Sequence, residues 1–109
     1  MPRYVQPPQM PPEVEAIIDV IGSRVREEIV RELARRGPLT RAELQEACGA
    51  SRTTTAEHLR ALEGAGLVEA DAPTRYRGKT PLWALRRHVL EAHLARLREY
   101  LLALDDDDE

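Results

Sequence analysis

Residues 49–70 read GASRTTTAEHLRALEGAGLVEA, and this stretch decides the fold. It opens on a turn of residues 49–51, whose Ser51 is of a type that caps helices. An apolar stripe at helical spacing predicts a helix from this turn to about residue 65. The inward-facing residues of that helix are Thr55, Leu59 and Leu62. Gly66 ends the helix, and the residues that follow enter a short strand.

A second, shorter helix is predicted immediately before this turn. Thr40 and Glu43 have the spacing of a capping box, in which each side chain bonds the other's backbone amide. The inward residues expected for this helix are Leu44, Ala47 and Cys48. Two helices joined by a short turn that contains glycine form a helix-turn-helix, here residues 41–65.

Two further helices are predicted upstream. The first follows Pro12 and carries an apolar stripe of Val14, Ile17, Ile18 and Ile21. The second is capped by Ser23 and ends at Gly37, and its stripe is Val25, Ile29 and Leu33. Residues 1–12 contain five prolines, which predicts an extended, mobile arm.

A hairpin and a long helix are predicted downstream. Residues 67–86 form a wing, in which strand 82–85 returns after a polar loop. Residues 87–104 then carry leucines at spacings of four and three, a heptad seam. The predicted fold class is mainly α with a small β-hairpin: a winged helix-turn-helix domain at 13–104 with a long C-terminal dimerisation helix. An acidic tail follows at 105–109.

The composition excludes several classes of protein. The single cysteine cannot form an internal disulfide, and no apolar run is long enough to cross a membrane. The N-terminal stretch has no apolar core of the signal-peptide kind, so we expect a cytoplasmic protein. One tryptophan and three tyrosines are too few for a platform that stacks unpaired bases. No nucleophile–base pair or phosphate-binding loop is present, so we expect no enzymatic activity.

The net charge of −3 hides a separation of charge along the chain. Without the five acidic residues at 105–109, 16 basic residues stand against 14 acidic ones. Residues 73–87 contain five basic residues and no acidic one. The local charge at the wing therefore favours a polyanionic partner.

Residues 23–70 resemble the winged helix-turn-helix repressors of the ArsR (arsenical-resistance-repressor) type. The resemblance is carried by RGPLTRAEL at 36–44, GASRTTTAEHLRALEGAGLV at 49–68 and the wing RYRGKTPLWAL at 75–85. It implies a homodimer on double-stranded DNA. The residues expected to contact DNA are Thr40, Arg41, Ser51, Arg52, Thr53, Thr54, Glu57, His58, Arg60, Arg75, Arg77 and Lys79. The expected dimer interface consists of Val14, Ile17, Ile18, Ile21, Leu90, Leu94, Leu97, Tyr100, Leu101 and Leu104.

Groove geometry supports this assignment, because the major groove admits one helix whose N-terminal residues reach the base edges. Arg52 can pair with guanine, and the wing can lie along phosphate or in the minor groove. Two residues depart from the pattern. Glu57 stands where a basic or small residue is usual, and Thr55 fills a position that is usually aliphatic.

The resemblance also raises the question of a metal, because many ArsR-type proteins sense one. Their thiolate ligands would fall at Gln45 and Ala47, and Cys48 is one residue away. A second site would begin with Glu91 and His93, but its next ligands would fall on Leu104 and Asp107. We therefore expect no metal and no cofactor. The sequence names no small-molecule effector.

The sequence thus favours a dimeric, sequence-specific transcriptional regulator, and in particular a repressor on an inverted-repeat operator. Two alternatives stay open. One is a winged-helix protein-interaction module that does not bind DNA, which would account for Glu57 and the negative net charge. The other is a DNA-architectural or excision accessory protein.

Overall fold

The computed structural model describes residues 10–72 and 80–104. Within these ranges, five helices and three short strands follow one another along the chain. They are α1 (Pro12–Ile21), α2 (Arg24–Arg36), β1 (Leu39–Thr40), α3 (Arg41–Cys48), α4 (Arg52–Gly64), β2 (Val68–Ala70), β3 (Leu82–Leu85) and α5 (Arg87–Leu101). The predicted fold, a mainly helical winged helix-turn-helix, is confirmed. None of the described helices has the length and hydrophobicity that crossing a bilayer requires.

The helix starts follow the capping signals of the sequence. The Ser23 hydroxyl accepts from the backbone N–H of Arg26 at 3.2 Å. The Ser51 hydroxyl does the same for Thr54 at 3.0 Å. Between α3 and α4, Gly49 has φ +67°, a left-handed conformation that costs glycine little. Local side-chain chemistry therefore sets the helix-turn-helix geometry.

The sheet has one strand more than the predicted hairpin. Its order is β1-β3-β2 with antiparallel pairing, so β3 lies in the middle. Trp83 of β3 stands opposite Leu39 on one side and Ala70 on the other. At the base of the wing, Leu82 donates to Asp71 Oδ1 at 2.8 Å and accepts from the Asp71 N–H at 3.0 Å. β1 thus ties the start of α3 to the wing.

The core is formed by all five helices together with the sheet. Helix α1 packs mainly on α5, while α2 contacts α3 and α4. The buried apolar residues are Val14, Ile17, Val20, Ile29, Leu33, Leu39, Leu44, Leu59, Leu62, Leu67, Val68, Trp83 and Leu97. Five expected inward apolar residues are absent from this set: Ile18, Val25 and Cys48 are half-buried, and Ile21 and Ala47 are exposed. Ala47 is exposed because the last turn of the short helix α3 lies near the surface.

Helix α5 ends three residues before the expected boundary at 104. Leu102 follows the helix, and Ala103 has φ +58°, which a right-handed helix cannot contain. Leu101 is 68% exposed, and Leu104, beyond the helix, is 49% exposed. The end of the predicted heptad seam therefore has no core of its own chain to pack against.

Thr55 provides a test of how α4 is held. Its side chain is fully buried, and its hydroxyl donates to the Ser51 carbonyl at 2.8 Å. We expect Thr55→Val to change the free energy of unfolding by less than about 1 kcal/mol, since the Ser51 carbonyl keeps its bond from the Thr55 N–H and a methyl replaces the hydroxyl. Thr55→Ala should cost about 1–2 kcal/mol because it opens a cavity. Urea unfolding followed by circular dichroism measures both; a valine variant as unstable as the alanine variant would contradict this account.

Candidate nucleic-acid interface

The outward face of α4 is the strongest candidate for a nucleic-acid contact. Successive residues of a helix turn by about 100°, so burial of Thr55 and Leu59 points the opposite face to solvent. That face carries the exposed residues Thr53, Glu57 and Arg60, and Arg52 is exposed because it is the first residue of the helix. Within residues 10–72 and 80–104, the side chains of these four form no hydrogen bond or ion pair with one another or with other groups. Four of the predicted contacts are therefore available to a partner.

A cleft of about 350 Å³ lies beside this face, between α3, α4 and the start of β3. Three arginines line it: Arg41, Arg52 and Arg60. Ala56, Leu59 and Trp83 supply apolar lining, and no described lining residue is acidic. Nη1 of Arg41 donates to Gln45 Oε1, which holds this guanidinium at the start of α3. The structure thus brings the helix arginines together in one positive concavity.

The caps of α3 and α4 differ in whether the capping hydroxyl keeps a proton for a partner. Thr40 accepts from the Glu43 N–H at 3.1 Å, and its hydroxyl and N–H both reach Glu43 Oε1, at 3.2 and 2.9 Å. The backbone N–H of Thr40 is the main reason that the pKa of Glu43 lies below its ordinary value. A predicted phosphate contact through the Thr40 hydroxyl therefore competes with a complete capping box. The Ser51 hydroxyl accepts one bond and keeps its own proton for donation.

His58 does not share the outward face of α4. It lies about 160° around the helix from Arg60, and its Nδ1 accepts from Arg26 Nε at 2.9 Å. Arg26 in turn pairs with Asp19 at 3.3 Å, which links α1, α2 and α4. The geometry favours a tertiary contact for His58 over the predicted DNA contact. No local sequence pattern indicates this pairing, because Arg26 is 32 residues away.

Three predicted wing contacts, Arg75, Arg77 and Lys79, lie outside the described residues. The base of the wing is described, and there Arg86 donates to the Gly66 carbonyl at 3.4 Å. Its Nε also lies 3.9 Å from Glu69 Oε1. Arg86 therefore fastens the wing to the end of α4.

The predicted dimer interface divides into a buried and an accessible set. Val14 and Ile17 are fully buried within one chain, and Leu97 is only 9% exposed. Helices α1 and α5 of the same chain already cover these three, which does not favour a place for them in a dimer interface. Ile18, Leu90 and Tyr100 are half-buried. The exposed members are Ile21, Leu94, Leu101 and Leu104, and Leu102, which sequence reasoning missed, joins them at 56% exposure.

The described residues contain no group of three or more His, Cys, Asp or Glu that could hold a metal. Burial raises the pKa of the Cys48 thiol, and the charges of Glu28 and Glu32 raise it further. A thiol in this environment stays protonated and is a poor metal ligand. Nδ1 of His93 is buried without a hydrogen-bond partner in the described chain. His93 and its neighbour Glu91 thus gain no further ligand from the fold.

Known proteins resemble this chain in sequence and in fold. The family model for a helix-turn-helix domain matches residues 21–71. A crystal structure of an ArsR family transcriptional regulator, RHA00566, superimposes with a TM-score of 0.69 at 21% identity, over 92% of this chain and 98% of that one. An ArsR-like transcriptional regulator from Rhodococcus sp. RHA1 gives 0.66 at 25% identity, over 85% and 83%. The chain has the winged helix-turn-helix fold of the ArsR-type regulators.

A third solved structure, of a possible ArsR-family transcriptional regulator, adds a statement about assembly. It is the winged helix-turn-helix DNA-binding domain Mb0332 from Mycobacterium bovis, whose solution structure is homodimeric. It matches with a TM-score of 0.60 at 22% identity, over 89% of this chain and 86% of that one. No curated protein matches. The resemblance to the ArsR type found in the sequence is confirmed, and α4 occupies the position of the recognition helix in this fold.

The capping box makes a pH-dependent contribution that can be measured. Because the pKa of Glu43 is lowered from 4.5 in the folded state, its stabilisation is complete above that ordinary value and is lost as the pH falls through the folded-state pKa. We expect Glu43→Gln to lose less Tm than the wild type between about pH 6 and pH 3. Thermal melts across this range provide the measurement. Glu46→Gln, on the same helix but outside the cap, is the matched control, and an acid response of Glu43→Gln equal to that of the wild type would contradict the assignment.

Proposed function

We propose that the chain is a DNA-binding transcriptional regulator that acts as a homodimer and represses by occupying an inverted-repeat operator. The observation that carries this proposal is the outward face of α4. Thr53 and Arg60 on this face and Arg52 at the start of the helix are exposed without side-chain partners in the described chain, and Arg41 lies beside them. A helix presented in this way fits the major groove of B-DNA.

Each side chain of this face has a chemistry suited to duplex DNA. The guanidinium of Arg52 can donate two hydrogen bonds to O6 and N7 of guanine, and Thr53 can bond either a base edge or a phosphate. Glu57 can accept from the amino group of cytosine. Ser51, Arg41 and the wing residues Arg75, Arg77 and Lys79 are assigned to the phosphate backbone, which supplies affinity without sequence preference.

The accessible apolar residues of α1 and α5 support a two-fold assembly. Ile21, Leu94 and Leu101 are between 42% and 68% exposed, and burial of such side chains favours association. The homodimeric state of the Mycobacterium bovis domain supports the same assembly. A two-fold dimer would place its two recognition helices about 34–36 Å apart, in successive major grooves. A dimer bound in this way would block polymerase at a promoter.

Selection from random duplex DNA with the purified chain, at two salt concentrations, tests the function directly. We expect an enriched inverted repeat whose binding weakens steeply at the higher salt, because phosphate contacts release counterions. No enrichment and no retention at low salt would overturn the proposal. That outcome would favour a winged-helix module that binds protein, with Glu57 at the centre of its contact face.

Arg52→Ala separates base reading from general attraction. We expect it to lose about 1–3 kcal/mol of discrimination at one base pair of each half-site, because a bidentate contact is removed. Arg31→Ala, an exposed arginine on α2, removes the same charge outside the interface and serves as the control. Binding of matched and mismatched duplexes by fluorescence anisotropy measures both. If Arg52→Ala lowered the affinity equally for every duplex sequence, Arg52 would contact a phosphate and not a base.

Charges placed on α5 test the dimer. Wild-type protein should sediment at about twice the chain mass of 12.3 kDa, and Leu94→Glu with Leu101→Glu should shift it to a single chain, because burying two carboxylates is costly. Leu82→Glu, at an exposed leucine of β3, is the matched control and should leave the mass unchanged. Circular dichroism verifies that each variant is folded. A wild-type chain that sediments as a monomer at micromolar concentration would refute the dimer.

A further inference from the structure

We propose that the cleft lined by Arg41, Arg52 and Arg60 is a binding site for a small organic anion, a phosphate group carried on an aromatic body. We propose in addition that this ligand competes with DNA. The binding site stands on the geometry of the cleft alone. The competition rests on the proposed function.

The dimensions of the cleft suit a small molecule. Its volume of about 350 Å³ falls within the range of about 300–1,000 Å³ found for ligand sites. Ala56, Leu59 and Trp83 contribute apolar lining, and Trp83 and Leu59 are 4% and 1% exposed. These two side chains belong to the core, so this part of the lining is rigid. This core supports the half-buried Ala56 and Pro81, on which a flat apolar group can rest with little rearrangement.

The charge of the cleft favours an anion. Three guanidiniums line it and no described lining residue is acidic, so the three positive charges repel one another without internal compensation. Arg52 and Arg60 have no side-chain partner in the described chain. Other arginines of the described chain, such as Arg35 and Arg36, pair with a carboxylate. The planar donor fork of arginine matches a phosphate group in particular.

A DNA phosphate alone would use only half of this site. It would satisfy the guanidiniums, but the half-buried apolar lining at Ala56 and Pro81 would stay in contact with water. A ligand that joins a phosphate to an aromatic ring would fill both halves, because its ring can remove the apolar lining from water. Because the cleft combines a charged rim with an apolar lining, we expect it to bind an organic phosphate more tightly than inorganic phosphate.

The position of the cleft makes the ligand a competitor of DNA. Arg52 and Arg60 line the cleft and are also proposed DNA contacts, Arg60 on the outward face of α4 and Arg52 at the start of the helix. An anion bound there would occupy their donors and cancel part of the positive charge that DNA needs. For mutually exclusive binding, the apparent Kd for DNA rises by the factor 1 + [ligand]/Kd, or about elevenfold at ten times the ligand's Kd.

Trp83 gives a direct readout, because it is the only tryptophan of the chain and lines the cleft. Its fluorescence is titrated with phenyl phosphate, inorganic phosphate and benzyl alcohol at constant ionic strength and without DNA. We expect a saturable change with phenyl phosphate, at a Kd about tenfold or more below that of inorganic phosphate, and none with benzyl alcohol. No saturable change with phenyl phosphate, or equal Kd values for phenyl phosphate and inorganic phosphate, would overturn the site.

Exposed arginines allow a variant that keeps the fold. Arg52→Gln with Arg60→Gln should raise the Kd for phenyl phosphate about tenfold or more, because both bidentate partners are lost. Arg31→Gln, outside the cleft, is the matched control and should bind as the wild type does. An equal effect of the control variant would show attraction by general charge and would overturn the site.

A DNA-binding titration at fixed phenyl phosphate then tests the competition. The expected result is an apparent Kd for the selected duplex that rises in proportion to ligand concentration, with benzyl alcohol and matched NaCl as controls. Saturation of Trp83 without any change in DNA affinity overturns the competition and leaves the binding site standing. A chain that binds phenyl phosphate and no duplex overturns the proposed function, and the competition with it, but leaves the binding site standing.

Discussion

The inward stripe of α4 is the constraint on which the rest of the structure depends. Thr55, Leu59 and Leu62 are at most 1% exposed, and their burial fixes the rotation of the helix about its axis. Once that rotation is fixed, the outward direction of Thr53, Glu57 and Arg60 follows from helical geometry alone, and Arg52 is exposed as the first residue of the helix. The internal bond of the Thr55 hydroxyl lets a polar residue occupy this core position, which explains a departure that the sequence left unresolved.

Helices α1 and α5 show how one apolar pattern can serve two purposes. Val14, Ile17 and Leu97 close the core of a single chain, whereas Ile21, Leu94 and Leu101 stay accessible. The apolar patterns of α1 and α5 predict that both sets are buried. They do not indicate whether the same chain or a second copy covers each residue. Only the packing of α1 against α5 separates them, and it leaves an apolar band that continues past the helix end to Leu102 and Leu104.

Structural features that depend on residues a few positions apart could be predicted from the sequence. Features that depend on contacts between distant parts of the chain could not. The caps at Ser23, Thr40 and Ser51 placed the helix starts correctly, because capping involves neighbours three residues apart. Strand β1 was missed because its pairing with β3 joins residues more than 40 positions apart. The bond between Arg26 and His58 is equally remote, and the left-handed Ala103 that ends α5 has no residue-type signature. Of the candidate site, the helix face was predictable and the cleft was not.

Where the cleft lies determines what kind of control it can exert. A signal bound far from α4 would need a second conformation of the fold to change DNA affinity, because coupling requires two states that both sites bias. An anion bound among Arg41, Arg52 and Arg60 needs no second conformation, because it occupies the same guanidinium donors that would bind DNA. DNA and the ligand therefore share one constraint. A substitution that makes these arginines bind phosphate more tightly raises the affinity for DNA and the affinity for the ligand together. Selectivity between the two must therefore come from the apolar lining at Ala56 and Pro81, which only the ligand can cover.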